Sequence, residues 1–203
     1  MRLGFVVDGE AEYRSLPRLF ASIGVNNVLL TPLKADIQPL APIGQIAASV
    51  KPAIKILMAK RVDRAIVLLD RETRDECPGG FAASLADTLA RVCPGPSFDV
   101  VVKNRQFENW LVADPDALSA QIGRFRLTDG QRRQIVPNKA DTIDALALLK
   151  IVVRQHDYEK VKDAVRIMSH ATAANMAENS RSFRRFLRVV GHPAYSTQSR
   201  RPA

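Results

Sequence analysis

Four short apolar runs, separated by stretches of helical periodicity, constrain this chain more than any other feature. They are Arg2–Val7, Val25–Leu30, Arg64–Leu69 and Phe98–Val102. The third is almost wholly apolar, as a central parallel strand covered on both faces must be. Between the first two, Leu16, Leu19, Phe20 and Ile23 repeat at helical spacing within Glu10–Ile23, and Gly24 is a natural stop. Pro17 lies inside that pattern, so the regular helix is expected to begin there, with proline in its first turn. Residues 31–42 contain Pro32, Pro39 and Pro42 and read as loop. A helix is expected over 43–61 with a break at Pro52, and another over 81–92. The alternation of strand and helix specifies an α/β fold: a parallel, Rossmann-like sheet with helices on both faces.

After Trp110 no convincing strand follows. Helical segments are expected at 114–122, 139–155, 157–168 and 178–190. The chain therefore reads as an α/β domain over 1–113, an α-helical extension over 114–194 and a polar tail over 195–203, expected to be disordered. Its 203 residues suit that organisation, and 46% apolar with 25% charged residues is the balance of an ordinary soluble globule. The apolar runs fall far short of the ~20 residues of a membrane span. Met1–Val7 runs straight into an acidic motif and reads as a strand, not a signal peptide. A cytoplasmic setting follows, with Cys77 and Cys93 free and no zinc site between them.

Function is carried by acids placed just past the strands. The first cluster is Asp8-Gly9-Glu10-Ala11-Glu12, the second Asp70-Arg71-Glu72, the third Glu108-Asn109-Trp110-Leu111-Val112-Ala113-Asp114. Strand ends of one polarity meet at one edge of a parallel sheet, where such folds bind ligands. Carboxylates converging there repel one another unless a cation neutralises them, and hard oxygen donors suit Mg²⁺ or Mn²⁺. Asp70 and Glu72, two apart, share a face if the strand end stays extended; the competing reading is a solvated loop. Glu10 and Glu12 fit a helix N-terminus, where negative charge is stabilising. Asp114-Pro115 is a ready-made cap, and a fourth cluster, Asp141-Thr142-Ile143-Asp144, reads as an ordinary helix start. Trp110 is expected in the core.

The net charge is +9, and residues 178–203 hold six arginines against one acid, Glu178. A basic balance favours an anionic partner such as DNA or RNA. Arg71, Arg74, Arg105, Arg181, Arg184, Arg185 and Arg188 are candidates to track a phosphate backbone. Lys103 and Arg105, read as loop residues, are candidates to hold a scissile phosphate. On the last helix Phe183, Phe186, Leu187 and Val190 lie largely opposite the arginines and read as core.

Acid-Gly near the first strand and Asp-x-acid after a later one resemble the Toprim domain of topoisomerases, DnaG-type primases and OLD-family nucleases. Asp8-Gly9-x-x-Glu12, Asp70-x-Glu72 followed by Cys77-Pro78, and Glu108-x-Trp110-Leu111-x-Ala113-Asp114 look more closely like a small Toprim-like family of unknown function. Tyr158-Glu159-Lys160-Val161 and Ser180-Arg181-Ser182-Phe183-Arg184-Arg185-Phe186 look like its carboxy-terminal part. That resemblance covers nearly the whole chain. It implies a Mg²⁺- or Mn²⁺-dependent nuclease in a bacterial antiphage system, beside an ABC-type ATPase partner. Asp8, Asp70, Glu72 and Lys103 would be catalytic, and Asp8, Asp70, Glu72 and Glu108 would hold the metal. The family's glutamate is Asp8 here and its second aspartate is Glu72, a shorter and a longer side chain. The alternative is a subunit whose altered acids no longer support turnover, and which binds an ATPase partner or nucleic acid.

Overall fold

A computed structural model describes residues 1–197. The elements are β1 (Arg2–Val7), α1 (Glu10–Phe20), β2 (Val28–Leu29), β3 (Leu33–Lys34), α2 (Ile43–Ala59), β4 (Arg64–Asp70), α3 (Pro78–Val92), β5 (Ser97–Lys103), α4 (Glu108–Val112), α5 (Pro115–Ser119), α6 (Asp129–Ile135), α7 (Ala145–Val152), α8 (Lys160–Met168), α9 (Ala173–Asn179) and α10 (Arg181–Val189). The described strands form one five-stranded sheet in the order β2-β1-β4-β5, with β3 also on β1, and every pairing is parallel. This is the expected α/β architecture.

Strand alternation divides the core in two. Leu3, Phe5 and Val7 of β1, Ile66 and Leu68 of β4, and Val101 of β5 face α1 and the helices that follow β5. Val6, Val67, Leu69, Val100 and Val102 face α2 and α3. The helices after residue 113 are not a separate body, because Trp110, Phe183 and Phe186 share one apolar cluster with β1 and α1. Trp110 is fully buried, its ring 5.1 Å from Phe183 edge-on and 5.3 Å from Phe186. Its indole N–H donates to Ser182 Oγ at 2.8 Å, satisfying the one polar group a buried Trp carries.

Several boundaries differ from expectation. The second strand contracts to Val28–Leu29, and β3 lies in the segment read as loop. α1 begins at Glu10, ahead of Pro17, and α2 runs through Pro52. Each proline removes one intrahelical bond but leaves the apolar stripe that anchors its helix on the sheet. Only residues 145–152 of the expected 139–155 helix form α7, because Asp144 caps it by accepting from the Ala147 N–H at 3.0 Å. α4, α6 and α9 are too short to show a full apolar period. Tyr195, assigned to the tail, is buried in a 3-10 turn at Pro193–Tyr195; residues 198–203 lie outside the described part.

Candidate functional site

Asp70 and Lys103 end their strands as register partners across β4 and β5. Being in register, they point to the same side, and Lys103 Nζ lies 3.0 Å from Asp70 Oδ1. The same ammonium bonds Glu12 Oε1 on α1. Glu12 stands one turn before Leu16 on the buried stripe of its helix and is 3% exposed. Gly9 is needed because of this carboxylate: a Cβ there would fall 2.5 Å from Glu12 Oε2. Its backbone is extended, with φ −107°, so the cause is crowding and not a left-handed turn.

Lys103 is fully buried. Burial opposes its charge, but Asp70 and Glu12 outweigh that and hold its pKa above the usual lysine range. For Glu12, burial is likewise outweighed by the Lys103 ammonium, and its pKa falls. Asp70 is raised, by burial first and by Glu12 among its other neighbours, because one ammonium serves two carboxylates. Asp8, just past β1, is raised to about 6 by burial, with Glu12 and Asp70 adding and Lys103 opposing. Glu108, at the start of α4, is raised by burial against the pull of Lys160, whose Nζ is 3.4 Å from Oε1. Both Glu108 carboxylate oxygens are buried without a hydrogen bond, and so is the nearby Tyr158 hydroxyl. Four mutually sensing carboxylates thus share two ammoniums at the carboxy edge of the sheet.

The structure gathers Asp8, Asp70, Lys103 and Glu108 from the sequence-derived set and places Glu72 and Arg184 away from the roles expected of them. Glu72 is exposed with φ +52°, its N–H bonded to the Arg105 carbonyl at 2.7 Å. The left-handed backbone breaks the extended alternation, so Glu72 does not follow Asp70 onto the Lys103 side. Lys103 is no loop residue: it ends β5 and cannot reach a substrate phosphate from full burial. Arg184 is not a backbone-tracking residue either. It is 2% exposed and donates to the Ala177 carbonyl and, at 2.8 Å, to Asn138 Oδ1. Arg74 is committed to the carbonyls of Pro39 and Ala41 at 2.8 and 2.7 Å and lies 4.2 Å over the Phe81 ring. Arg105, Arg181 and Arg188 are exposed, and Arg71 and Arg185 are half-buried.

Glu12 is the residue sequence reasoning missed. Extending the stripe of Leu16 and Leu19 back by one turn finds it, whereas Glu10 points outward to Arg14 at 2.5 Å and Lys34 at 2.7 Å. Asp141, read with Asp144 as an ordinary helix start, serves a different helix. Its carboxylate accepts from Ser182 N–H and from the hydroxyls of Ser180 and Ser182, each at 2.8 Å, closing the start of α10. Asp114 caps α5 as expected, accepting from Asp116 and Ala117 N–H. Cys77 and Cys93 are free.

A model of a domain of unknown function, DUF4276, matches residues 9–190. The chain belongs to the DUF4276 family. The match takes in Glu12, Asp70 and Glu108, Lys103 and the helices after β5, and begins at the residue after Asp8. Comparison with curated proteins and with solved structures found no match. Among the described residues of this DUF4276 protein, no helix is long and apolar enough to cross a membrane.

Whether the residues suit a divalent ion is tested by their chemistry. The donors are hard oxygens, the carboxylates outnumber the ammoniums, and Glu108 offers two buried oxygens without a hydrogen bond, Oε1 being ion-paired with Lys160. Asp8, Asp70 and Glu108 could hold such an ion, while Glu12 is committed to Lys103. Among the described residues no three His, Cys, Asp or Glu side chains already stand together as a cage. The donors therefore match a divalent ion in kind and charge, while among the described residues their present spacing forms no site for one.

Proposed function

We propose that this DUF4276 protein is a Toprim-like, metal-dependent phosphodiesterase acting on DNA or RNA in the cytoplasm. The observation that carries this reading is the cluster of four carboxyl groups, Asp8, Glu12, Asp70 and Glu108, around only two ammoniums, Lys103 and Lys160. Burying uncompensated charge costs stability, and such costs concentrate where a cation or a reaction uses them. Bound Mg²⁺ or Mn²⁺ would neutralise a phosphodiester and acidify water.

The chain's own residues have separable roles. Lys103 favours the ionised form of Glu12 and fixes the direction of the Asp70 carboxyl group. Asp8, half-buried with a pKa of about 6, is ionised at neutral pH and suited to accept a proton on a carboxylate oxygen. Glu108 and Lys160 close the cluster on the helical side. The relation to OLD-family nucleases and a place beside an ABC-type ATPase in antiphage defence are supported by the resemblance of motifs and their order.

The test is Mn²⁺ calorimetry on the wild type and Asp70→Asn, followed by cleavage assays on single- and double-stranded DNA and RNA. Metal binding and cleavage that both vanish in Asp70→Asn are expected. A wild type that binds no Mn²⁺ overturns the reading. One observation favours a second reading, a subunit that binds without turnover: Lys103 already serves as a cation for Glu12 and Asp70. Nucleic-acid binding without Mn²⁺ binding would select it.

A further inference from the structure

Beyond the acid cluster, the polypeptide turns its next residues into a different space. Asp70 and Lys103 point toward α1. Arg71 and Asn104, each one residue further on, line a cavity of about 520 Å³ at the β5 edge. Arg71 Nη1 donates to Asn104 Oδ1 at 3.2 Å, which ties the two strand ends together. Across the cavity stand Arg181 and Arg185 of α10, more than a hundred positions beyond Arg71 in the chain. Its floor includes Val100 and Val102.

The charge of this cavity is one-sided. Three guanidiniums face it, and its acid, Asp141, is spent on Ser180 and Ser182 at the start of α10. The amino end of the 15-residue helix α3 opens onto the same space, with Cys77 at its cap position and no side-chain cap bond. Its N–H groups favour negative charge: those of Gly80 and Gly79 pull the Cys77 thiol below its usual pKa. The volume lies in the range of small-ligand sites.

We propose that this cavity binds a nucleotide phosphate, with Arg71, Arg181 and Arg185 on its oxygens and the sugar or base against Val100 and Val102. Guanidinium forks match phosphate geometry, and an apolar floor suits a base or sugar better than free phosphate. The proposal deepens the nucleic-acid reading above and rests on it. It places the phosphate of a strand one residue away from the ion-paired strand ends. Phosphate could come from inside a strand or from a terminal monophosphate.

The test is binding of a fluorescently labelled single-stranded oligonucleotide by anisotropy in EDTA, with AMP as competitor. The variants are Arg181→Ala/Arg185→Ala and a matched loss of two exposed charges on α2, Lys51→Ala/Lys55→Ala. Loss of charge-assisted bonds to phosphate is expected to weaken binding at least about tenfold in the arginine variant. The lysine variant should change it by less than about threefold, as screened remote charges do. Competition by AMP supports the cavity and assigns it a terminal phosphate. Binding without competition supports it with an internal phosphodiester. No binding by the wild type, or equal weakening in both variants, overturns it. EDTA keeps this result separate from the metal reading, which Mn²⁺ calorimetry decides alone.

Discussion

Lys103 on β5 and Glu12 on α1, 91 positions apart in the chain, form an ion pair sealed from solvent, with Asp70 as its third member. A buried pair of this kind gives little net stability against an apolar substitute, but breaking it on one side strands a charge. Lys103→Met is therefore expected to cost about 3–5 kcal/mol. Adding Glu12→Gln to Lys103→Met should restore part of that. Urea unfolding of the three proteins checks this; a single variant as stable as the wild type would mean that the carboxylates are already neutral.

Asp8 gives a pH signature. Burial raises its pKa from the ordinary 3.8 to about 6 in the folded protein, so the fold binds the extra proton. The sign follows from linkage: this contribution is complete below the unfolded value and is lost as pH rises through about 6. Asp8→Asn should thus match the wild type near pH 4 and exceed it at pH 7–8, by about 1 kcal/mol after allowance for partial exposure. The same variant should lose Mn²⁺ affinity, and wild-type affinity should climb between pH 5 and 7. Thermal melts and calorimetry across this pH range measure both; a variant less stable than the wild type at pH 8 would refute the desolvation argument.

Arg184 and Arg185 are neighbours with opposite expected effects. Arg184→Ala empties a buried guanidinium site and strands the Ala177 carbonyl and Asn138, costing on the order of 2–3 kcal/mol. It should leave the salt dependence of oligonucleotide binding unchanged. Arg185→Ala should barely alter stability and should reduce that salt slope by about one. Denaturation and salt titrations of both variants separate these outcomes.

Asp141→Ala removes the carboxylate that closes α10 and holds both serines, Ser180 and Ser182. About 2 kcal/mol is expected from the lost cap and the unpaired hydroxyls. For a chain of this size that lowers the melting temperature by roughly 4–8 °C. The Trp110 indole should report the same change, because it donates to Ser182. An unshifted melt with unchanged Trp fluorescence would show that α10 is fixed by its apolar face alone.

Local pattern was enough for the strands and long helices, because burial of an apolar face is written at a period of two or 3.6 in consecutive residues. β1, β4 and β5, the helices between them and the positions of Asp8 and Asp70 at strand ends were legible on that ground, as was Glu108 a few residues past β5. So was the core role of Trp110, the largest apolar side chain in the sequence. Which acids meet was not legible. Glu72 leaves the cluster because its φ is +52°, and no period encodes a turn of that kind. Glu12 joins it because α1 lies across the end of β5, a contact over 91 positions. Lys103 and Arg184, charged and apparently free in sequence, are buried because carboxylates or carbonyls wait at the end of a long-range packing contact. Charge is a property of one residue, whereas its burial and its partner belong to the tertiary structure, and these decide which of the chain's ionisable groups can act together.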